Sequence, residues 1–580
     1  MKRVRISFIH CPNRSYSETQ NNGLIFMPMW AYTLASHIPN DGRYQLSLYD
    51  LRIDQLSEVS EADLFLFSGI NQDFPELKAT HEYLQYRFPH SRFLLGGPIA
   101  WSFKQAGDLE QLLFFDHIII GDGEILIEDL LDNLSSDQPI DQVIINSERF
   151  DVKEARPLYR PMMDQTIGRY YGAVLEVSRG CPFLCEFCDI RILPDNNKAH
   201  DLPVDLIIEE IDHICSLGVT TFLLACDNFI SNPKWAEDLV DRILEWREQS
   251  LYKPVFYTWL TINLYKNTEL MKKMRRAGFD TLFIGVESFN SNSLLETAKV
   301  QNAAAGMVDA VREIQSYGFP IVAGLIFGFD SDGPECFENT IRGILESGLL
   351  SGDPSLLTAL PGTPLYQRML LAGRIRNTKY GLGGLKYHTN IKYLSSKEKL
   401  IEGYINFSKR TTEGAYQFAR LKAFYENLET KKNYIPLSGE SYFSLKLAVN
   451  IIGRNSKAFK LTLKRLWAFF QKPSNVWYLI KALSFVASKK NIKQRFIYLK
   501  FWIAMWSTLL VKYGDISEAD FDIDNVSQEE INAEKILPPG YEEDFGEPIP
   551  AAKIKSQRKE TIRSLQVLVS KIESNEKSSV

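Results

Sequence analysis

Three cysteines fall within eight residues, in the run Cys181-Pro-Phe-Leu-Cys185-Glu-Phe-Cys188, directly after a strand-like stretch over 172–178. Thiolates this close share one site, and a single short loop can wrap all three around an iron–sulfur cluster. Three thiolates on a four-iron cluster leave one iron open to a small molecule. Zinc normally takes a fourth protein ligand. None stands at a zinc-finger spacing here, the next Cys or His being His200, His213 and Cys215. A disulfide framework is a poor reading too. Three is odd, and Cys11, Cys215, Cys226 and Cys336 are scattered.

A loop carrying such a cluster must be held by the strands and helices around it. From residue 151 to about 375, strand patterns at 172–178, 220–225, 254–260, 281–286, 321–327 and 355–360 alternate with amphipathic helices near 204–217, 234–249, 268–277, 303–317 and 336–347. Val204, Ile207, Ile208 and Ile211 share a helical face and read as core. Six βα units predict a partial, TIM-type (β/α)6 barrel, with its chemistry at the carboxyl ends of the strands. The cysteines occupy the first such end. Polar and glycine-rich turns occupy others: Cys226-Asp227-Asn228, Gly285-Val-Glu287-Ser288, Gly324-Leu-Ile-Phe-Gly328 and the run 360–366. Each also has a plain reading as a cap or turn. Cys226 reads as a buried, inert thiol.

Residues 1–150 alternate in the same way, with strands over 4–11, 44–49, 63–67, 92–95 and 117–120 and helices over 75–88 and 124–134. This order predicts a doubly wound parallel sheet that binds ligands at the carboxyl ends of its strands. The turns there are Ser68-Gly69, Gly96-Gly97-Pro98 and Gly121-Asp-Gly123-Glu124. Glycine lets a backbone approach a ligand closely, although any one of these turns taken singly reads more readily as a tight strand-to-helix connection with no ligand.

The Cys-x3-Cys-x-Phe-Cys pattern, with aromatic Phe187 in place, resembles the signature of the radical S-adenosylmethionine (SAM) enzymes. The G-G-P and G-x-G-E turns upstream resemble the cobalamin-binding domain that precedes many radical SAM barrels. The runs 357–366, His388-Thr389-Asn390 and Tyr416-Gln-Phe-Ala-Arg420 resemble the branch that includes the hopanoid C-2 methylases. That resemblance covers roughly residues 1–510.

It implies that Cys181, Cys185 and Cys188 hold a 4Fe-4S cluster whose open iron binds SAM. It implies SAM contacts from Asp227 and Asn228 near the methionine end, from Glu287 and Ser288 at the ribose, and from Gly324 and Gly328 at the adenine. A carboxylate suits ribose because it accepts two hydrogen bonds. Cobalamin contacts are implied for Ser68, Gly69, Gly96, Gly97, Gly121, Gly123 and Glu124. None of His10, His37, His81, His90 or His117 stands in the D-x-H-x-x-G context of better-known cobalamin domains, so no histidine ligand to cobalt is expected.

The activity implied is methyl transfer from cobalamin to an unactivated carbon of a small or lipid-like substrate, with an electron donor such as flavodoxin or ferredoxin. A cyclase or rearrangement enzyme without methyl transfer is the alternative. A non-catalytic, cluster-binding, membrane-associated protein is the alternative of another class.

Length, charge and composition agree with a multidomain α/β protein. The chain has 580 residues, is 45% hydrophobic and carries a net charge of −6, which argues against a general nucleic-acid binder. Unpaired cysteines point to a reducing, cytoplasmic setting. Residues 376–514 are expected to form a helical extension. Between 441 and 514 there are 14 Lys or Arg, no Asp or Glu, and many aromatics. Such a segment either covers the barrel with its lysines solvated, the expectation here, or lies on an anionic membrane surface. From 515 to 547 the sign reverses, and the polar end of the chain is expected to be disordered.

Overall fold

Strands β1 (Val4–His10), β2 (Tyr44–Asp50), β3 (Leu64–Ser68), β4 (Arg92–Gly96), β5 (His117–Ile120) and β6 (Val143–Ile145) form one sheet in the order β2-β1-β3-β4-β5-β6. All neighbours are parallel. Successive side chains of a strand point to opposite faces, and here both faces are buried. Ile6, Phe8, Leu64 and Leu66 enter one core, while Ile9, Phe65 and Phe67 enter the other. A sheet covered on both sides therefore reads as continuous apolar runs. Helices α2 (Phe74–Arg87) and α3 (Pro98–Ala106) cover the second face, and α1 (Met29–Ser36), α4 (Gly123–Ser135) and α5 (Arg160–Thr166) the first. Strand β6 was not foreseen; three residues are too few for a periodic signal. The computed structural model describes residues 3–13, 25–136, 138–193, 195–303, 306–376, 387–430, 432–439, 456–489 and 492–527.

The second sheet runs β14-β13-β12-β11-β10-β7. Its members are β7 (Ala173–Glu176), β10 (Thr221–Ala225), β11 (Val255–Leu260), β12 (Phe279–Glu287), β13 (Ile321–Phe327) and β14 (Ser351–Leu356). Again every pair is parallel. A short antiparallel pair, β8 (Ser178–Arg179) with β9 (His200–Asp201), frames the cysteine loop. Helices α6 (Val204–Ser216), α7 (Pro233–Gln249), α8 (Thr268–Ala277), α9 (Ser291–Glu296), α10 (Val300–Ala303), α11 (Met307–Ser316), α12 (Cys336–Ser347) and α13 (Pro364–Leu371) accompany it. Their starts are written in the sequence: Asn232, Asn267 and Thr363 accept from backbone N–H groups of the first turns of α7, α8 and α13.

The two sheets share one continuous core. They are joined at β7, where Tyr171 N–H donates to Ile25 O (2.8 Å) and Met27 N–H to Gly172 O (3.2 Å). A Cβ on Gly172 would lie 2.6 Å from the Phe26 ring, so only glycine permits this approach.

Beyond the barrel, β15 (His388–Tyr393) pairs in parallel with β16 (Asp522–Asn525). Helix α14 (Lys397–Thr412) packs Leu400, Tyr404 and Phe407 into the first core, while α15 (Gly414–Thr430), α16 (Ser456–Phe470), α17 (Pro473–Ala487) and α18 (Ile492–Tyr513) build a third core. Helix α18 takes the expected packing role. The indole N–H groups of its buried Trp502 and Trp506 donate to Gln417 O (3.0 Å) and Thr412 O (2.9 Å). The expected disordered end of the chain and the basic stretch 441–455 lie outside the described residues.

Candidate active site

The cysteine loop leaves β8 through Gly180, whose φ is +88°. A side chain there would drive into Lys198 O, so the left-handed turn needs glycine on both counts. Gly180 N–H donates to Asp227 Oδ2 (2.6 Å), and Cys181 N–H to Asn196 O (3.0 Å). Burial pushes the thiols of Cys181 and Cys188 up, and the neighbouring cysteines add to both shifts, as expected for sulfurs gathered in one place. Among the described residues no three His, Cys, Asp or Glu side chains close around a single metal ion.

Glu186, between the second and third cysteines, anchors the loop from within. Its carboxylate accepts from Arg368 of α13 twice, Nε–Oε1 at 2.7 Å and Nη2–Oε2 at 2.8 Å. Arg368 continues to Asp330 (3.3 Å), which Arg374 also holds (2.7 Å). All four are buried. The backbone repeats the clamp: Glu186 N–H donates to Thr297 O (2.9 Å) and Leu365 N–H to Glu186 O (3.0 Å). Charged residues read singly as solvated, which is why this network left no sequence signal.

Glu287 ends β12 at φ +62°, just past an irregularity in the β12–β13 register. A bulge of this kind re-aims a side chain, and strain of this kind gathers at functional sites. Its carboxylate pairs with Lys299, whose ammonium lies 5.6 Å from the centre of the Phe187 ring. Burial pulls the Lys299 amine down. Glu287, Cys185 and Cys188 outweigh it and leave the amine above its usual value. A Cβ on Gly285 would stand 2.7 Å from that amine. Next along the chain, Gln301 Nε2 reaches Cys185 Sγ (3.6 Å), and Asn302 Nδ2 donates to Gly285 O (2.7 Å). Lys299, Gln301 and Asn302 are thus part of the site that sequence reasoning missed. Their signal was weak: Lys, Gln and Asn in a barrel helix look like surface.

Other expected SAM residues are placed as follows. Asp227 ends β10 beside the loop, and burial raises its pKa to about 6. Asn228 Oδ1 accepts from Thr261 N–H (3.2 Å), while its buried Nδ2 has no partner among the described residues. Asn302 Oδ1 is likewise buried and unpaired among the described residues. Ser288 Oγ accepts from Asn290 N–H (3.0 Å), a turn contact. Gly324 sits within β13, and Gly328 N–H donates to Asp332 (3.0 Å) under the Tyr393 ring. Cys226 is buried against Thr258, and burial pushes its thiol up to about 12, as expected for an inert one.

The carboxyl ends of the first sheet bring Ser68, Gly69 and Gly97 together. A Cβ on Gly97 (φ +86°) would strike Ser68 Oγ and stand 3.3 Å from Gly69 N. Gly96 faces open space. Gly121 (φ +146°) passes against Asn146 O, and Gly123 opens α4. His10 ends β1, where its Nδ1 accepts from the Trp30 indole (3.2 Å) and burial pulls its pKa to about 3.

Glu124 does not point freely into that space. It pairs with Arg179 (2.5 Å), two residues before Cys181, and Arg179 also holds Glu176 (2.8 Å). Burial works against the Glu124 charge, and Arg179 overcomes it, holding the carboxyl below its usual value. Arg149 spans Asp122 (2.8 Å) and Asn196 (3.1 Å), and Leu193 packs into the first sheet's second core. The ends of both sheets are therefore tied to one loop that bears three thiols.

Residues 175–344 match the model of the radical SAM superfamily. That stretch of the chain is a radical SAM domain. The domain makes the chain a radical SAM enzyme and implies a 4Fe-4S cluster and SAM. The hopanoid C-2 methylase of Rhodopseudomonas palustris (strain TIE-1) is 28% identical over 370 residues, 62% of this chain and 67% of that protein. The matched stretch thus spans about two thirds of that relative. Among solved structures, the cobalamin-dependent S-adenosylmethionine radical enzyme OxsB superposes with a TM-score of 0.56 at 14% identity, over 91% of this chain and 82% of that one. The radical SAM methyltransferase TsrM from Kitasatospora setae superposes with a TM-score of 0.52 at 15% identity, over 65% and 79%. At these identities the superpositions establish the fold. The donor set suits the cofactors the domain implies: three thiols gathered on one loop, an ammonium beside them, and unpaired buried amide atoms on Asn228 and Asn302.

Proposed function

We propose that this chain is a cobalamin-dependent radical SAM methyltransferase acting on an unactivated carbon of a small or lipid-like substrate. The observation that carries the reading is the Glu124–Arg179–Cys181 connection, which sets the ligand-binding ends of two parallel sheets against each other across the thiol loop. Open space at Gly96 and the left-handed turn at Gly97 support cobalamin at the first sheet. When bound, the cluster with SAM would supply hydrogen abstraction by a carbon radical, and cobalamin would supply a methyl group for transfer to the substrate carbon.

The chain's own residues bind, orient and exclude water. Cys181, Cys185 and Cys188 would hold the cluster as thiolates. Lys299 presents a cation beside them, suited to the carboxylate of SAM, while Glu287 fixes that cation and Asn228 offers an unused N–H. The buried set of Glu186, Arg368, Asp330 and Arg374 keeps the loop's far side dry and rigid, and a buried charge needs such partners. Asp227, raised to about 6, holds the Gly180 N–H and with it the approach of the loop to β10. A small one-electron donor protein of the flavodoxin or ferredoxin type would reduce the site.

The test is anaerobic reconstitution with iron, sulfide and cobalamin, then SAM and a strong reductant, with mass spectrometry of the products. Both 5′-deoxyadenosine and S-adenosylhomocysteine are expected, the second only with cobalamin. Deoxyadenosine without cobalamin-dependent S-adenosylhomocysteine would overturn the methyl-transfer reading and point to cyclisation or rearrangement.

A further inference from the structure

Helices α16 and α17 form a hairpin with two unlike faces. Its inner face, including Ala468, Phe469, Ala482 and Val486, packs into the third core. Its outer face holds large apolar side chains in water. On α16, Phe459, Leu463, Trp467 and Phe470 recur at spacings of three and four and so share one side of the helix. On α17, Trp477 and Ile480 do the same. Trp467 is 66% exposed, Phe470 65% and Trp477 55%. The bulkiest apolar groups of the hairpin thus point away from the protein, near the turn that joins the helices.

The charge around them has one sign. Lys460, Lys464, Lys472 and Lys481 are exposed on the same hairpin, and the Lys481 ammonium lies 5.1 Å from the Trp477 ring centre. No Asp or Glu occurs anywhere from 441 to 514. Soluble surfaces mix both signs and dilute apolar side chains; this one does neither. An occupant that is apolar in depth and negative at its edge matches it, and a lipid leaflet with anionic headgroups has that profile. Tryptophans at the rim suit the headgroup boundary. Among the described residues no helix is long and apolar enough to cross a membrane, so the hairpin would lie in the plane of the surface.

We infer that the outer face of the α16–α17 hairpin docks the protein on an anionic bilayer surface. The inference stands apart from the methyl-transfer reading, since it uses no residue of the active site. The experiment is co-sedimentation of the full chain with vesicles of phosphatidylcholine alone or mixed with phosphatidylglycerol. Binding to the mixed vesicles is expected, and high salt should weaken it. Each lysine contributes about fivefold, so the variant Lys460→Gln/Lys464→Gln/Lys472→Gln should bind about a hundredfold less tightly. Trp467→Ser/Phe470→Ser/Trp477→Ser should lose binding while keeping its circular dichroism spectrum, because all three side chains face outward. Quenching of the wild-type tryptophan fluorescence by brominated phosphatidylglycerol supplies a reading that needs no variant, and it is expected. A wild-type chain that ignores anionic vesicles, unchanged binding by both variants, or absence of quenching would each overturn the inference. So would a wild-type dimer that the Ser variant dissolves without any vesicle binding, since the face would then join two copies of the chain.

Discussion

Replacing Arg368 by Met should loosen the cysteine loop without touching a thiol. Arg368 makes two hydrogen bonds to Glu186, at 2.7 and 2.8 Å, in a site where both side chains are almost wholly buried. Methionine fills similar volume but removes both Arg368 hydrogen bonds from the Glu186 carboxylate. Breaking a buried pair in this way costs about 3–5 kcal/mol. Asp330 keeps Arg374, so the loss falls mainly on Glu186. In a chain with several cores a single unfolding transition is not assured, so the assay should be local. The Glu186 and Leu365 amides, bonded to Thr297 O and Glu186 O, report on this clamp by hydrogen exchange. An opening cheaper by about 3 kcal/mol exposes them roughly a hundredfold more often. Iron and sulfide retained after reconstitution should fall in step. The double variant Glu186→Leu/Arg368→Met removes both charges and should recover most of the protection, because an apolar replacement of a buried pair is near neutral. Unchanged exchange in the single variant, or no recovery in the double, would refute the reasoning.

Cys185→Ala should abolish both bound iron and deoxyadenosine formation, whereas Lys299→Met should keep the iron and weaken SAM binding in equilibrium dialysis. Gly97→Ala places a methyl group into Ser68 Oγ at φ +86°, so cobalamin retention should be lost and stability should fall by about 1–3 kcal/mol, read from thermal unfolding. Glu210, which accepts from Leu158 N–H and pairs with Arg160, has its pKa pushed up to about 7 by burial. The folded state then keeps a proton that the unfolded chain releases near pH 4. The stability held by the protonated form is therefore lost as pH rises through about 7, by up to about 3 kcal/mol. Denaturant unfolding of wild type against Glu210→Gln, at pH 5 and pH 8, should show that dependence in wild type alone.

What the sequence determined on its own was local. Cysteine spacing within one loop limits the cofactor, because a loop of eight residues brings its own thiols together whatever lies around it. Period-two and period-3.6 patterns set strand and helix over long stretches. The turn glycines were legible because positive φ is costly for other residues, and Gly97 and Gly328 adopt it. Only the tertiary structure decided which distant charges meet. Glu186 finds Arg368 across 182 residues, Glu124 finds Arg179 across two sheets, and Lys299 reaches Glu287 through a bulge that shifts the strand register. A charged residue alone in sequence is indistinguishable from a solvated one, since its partner is set by where the elements pack. The basic segment shows the same limit. Its amphipathic pattern says that one face of each helix is buried, and packing alone decided that α18 turns its tryptophans inward while α16 and α17 hold theirs out.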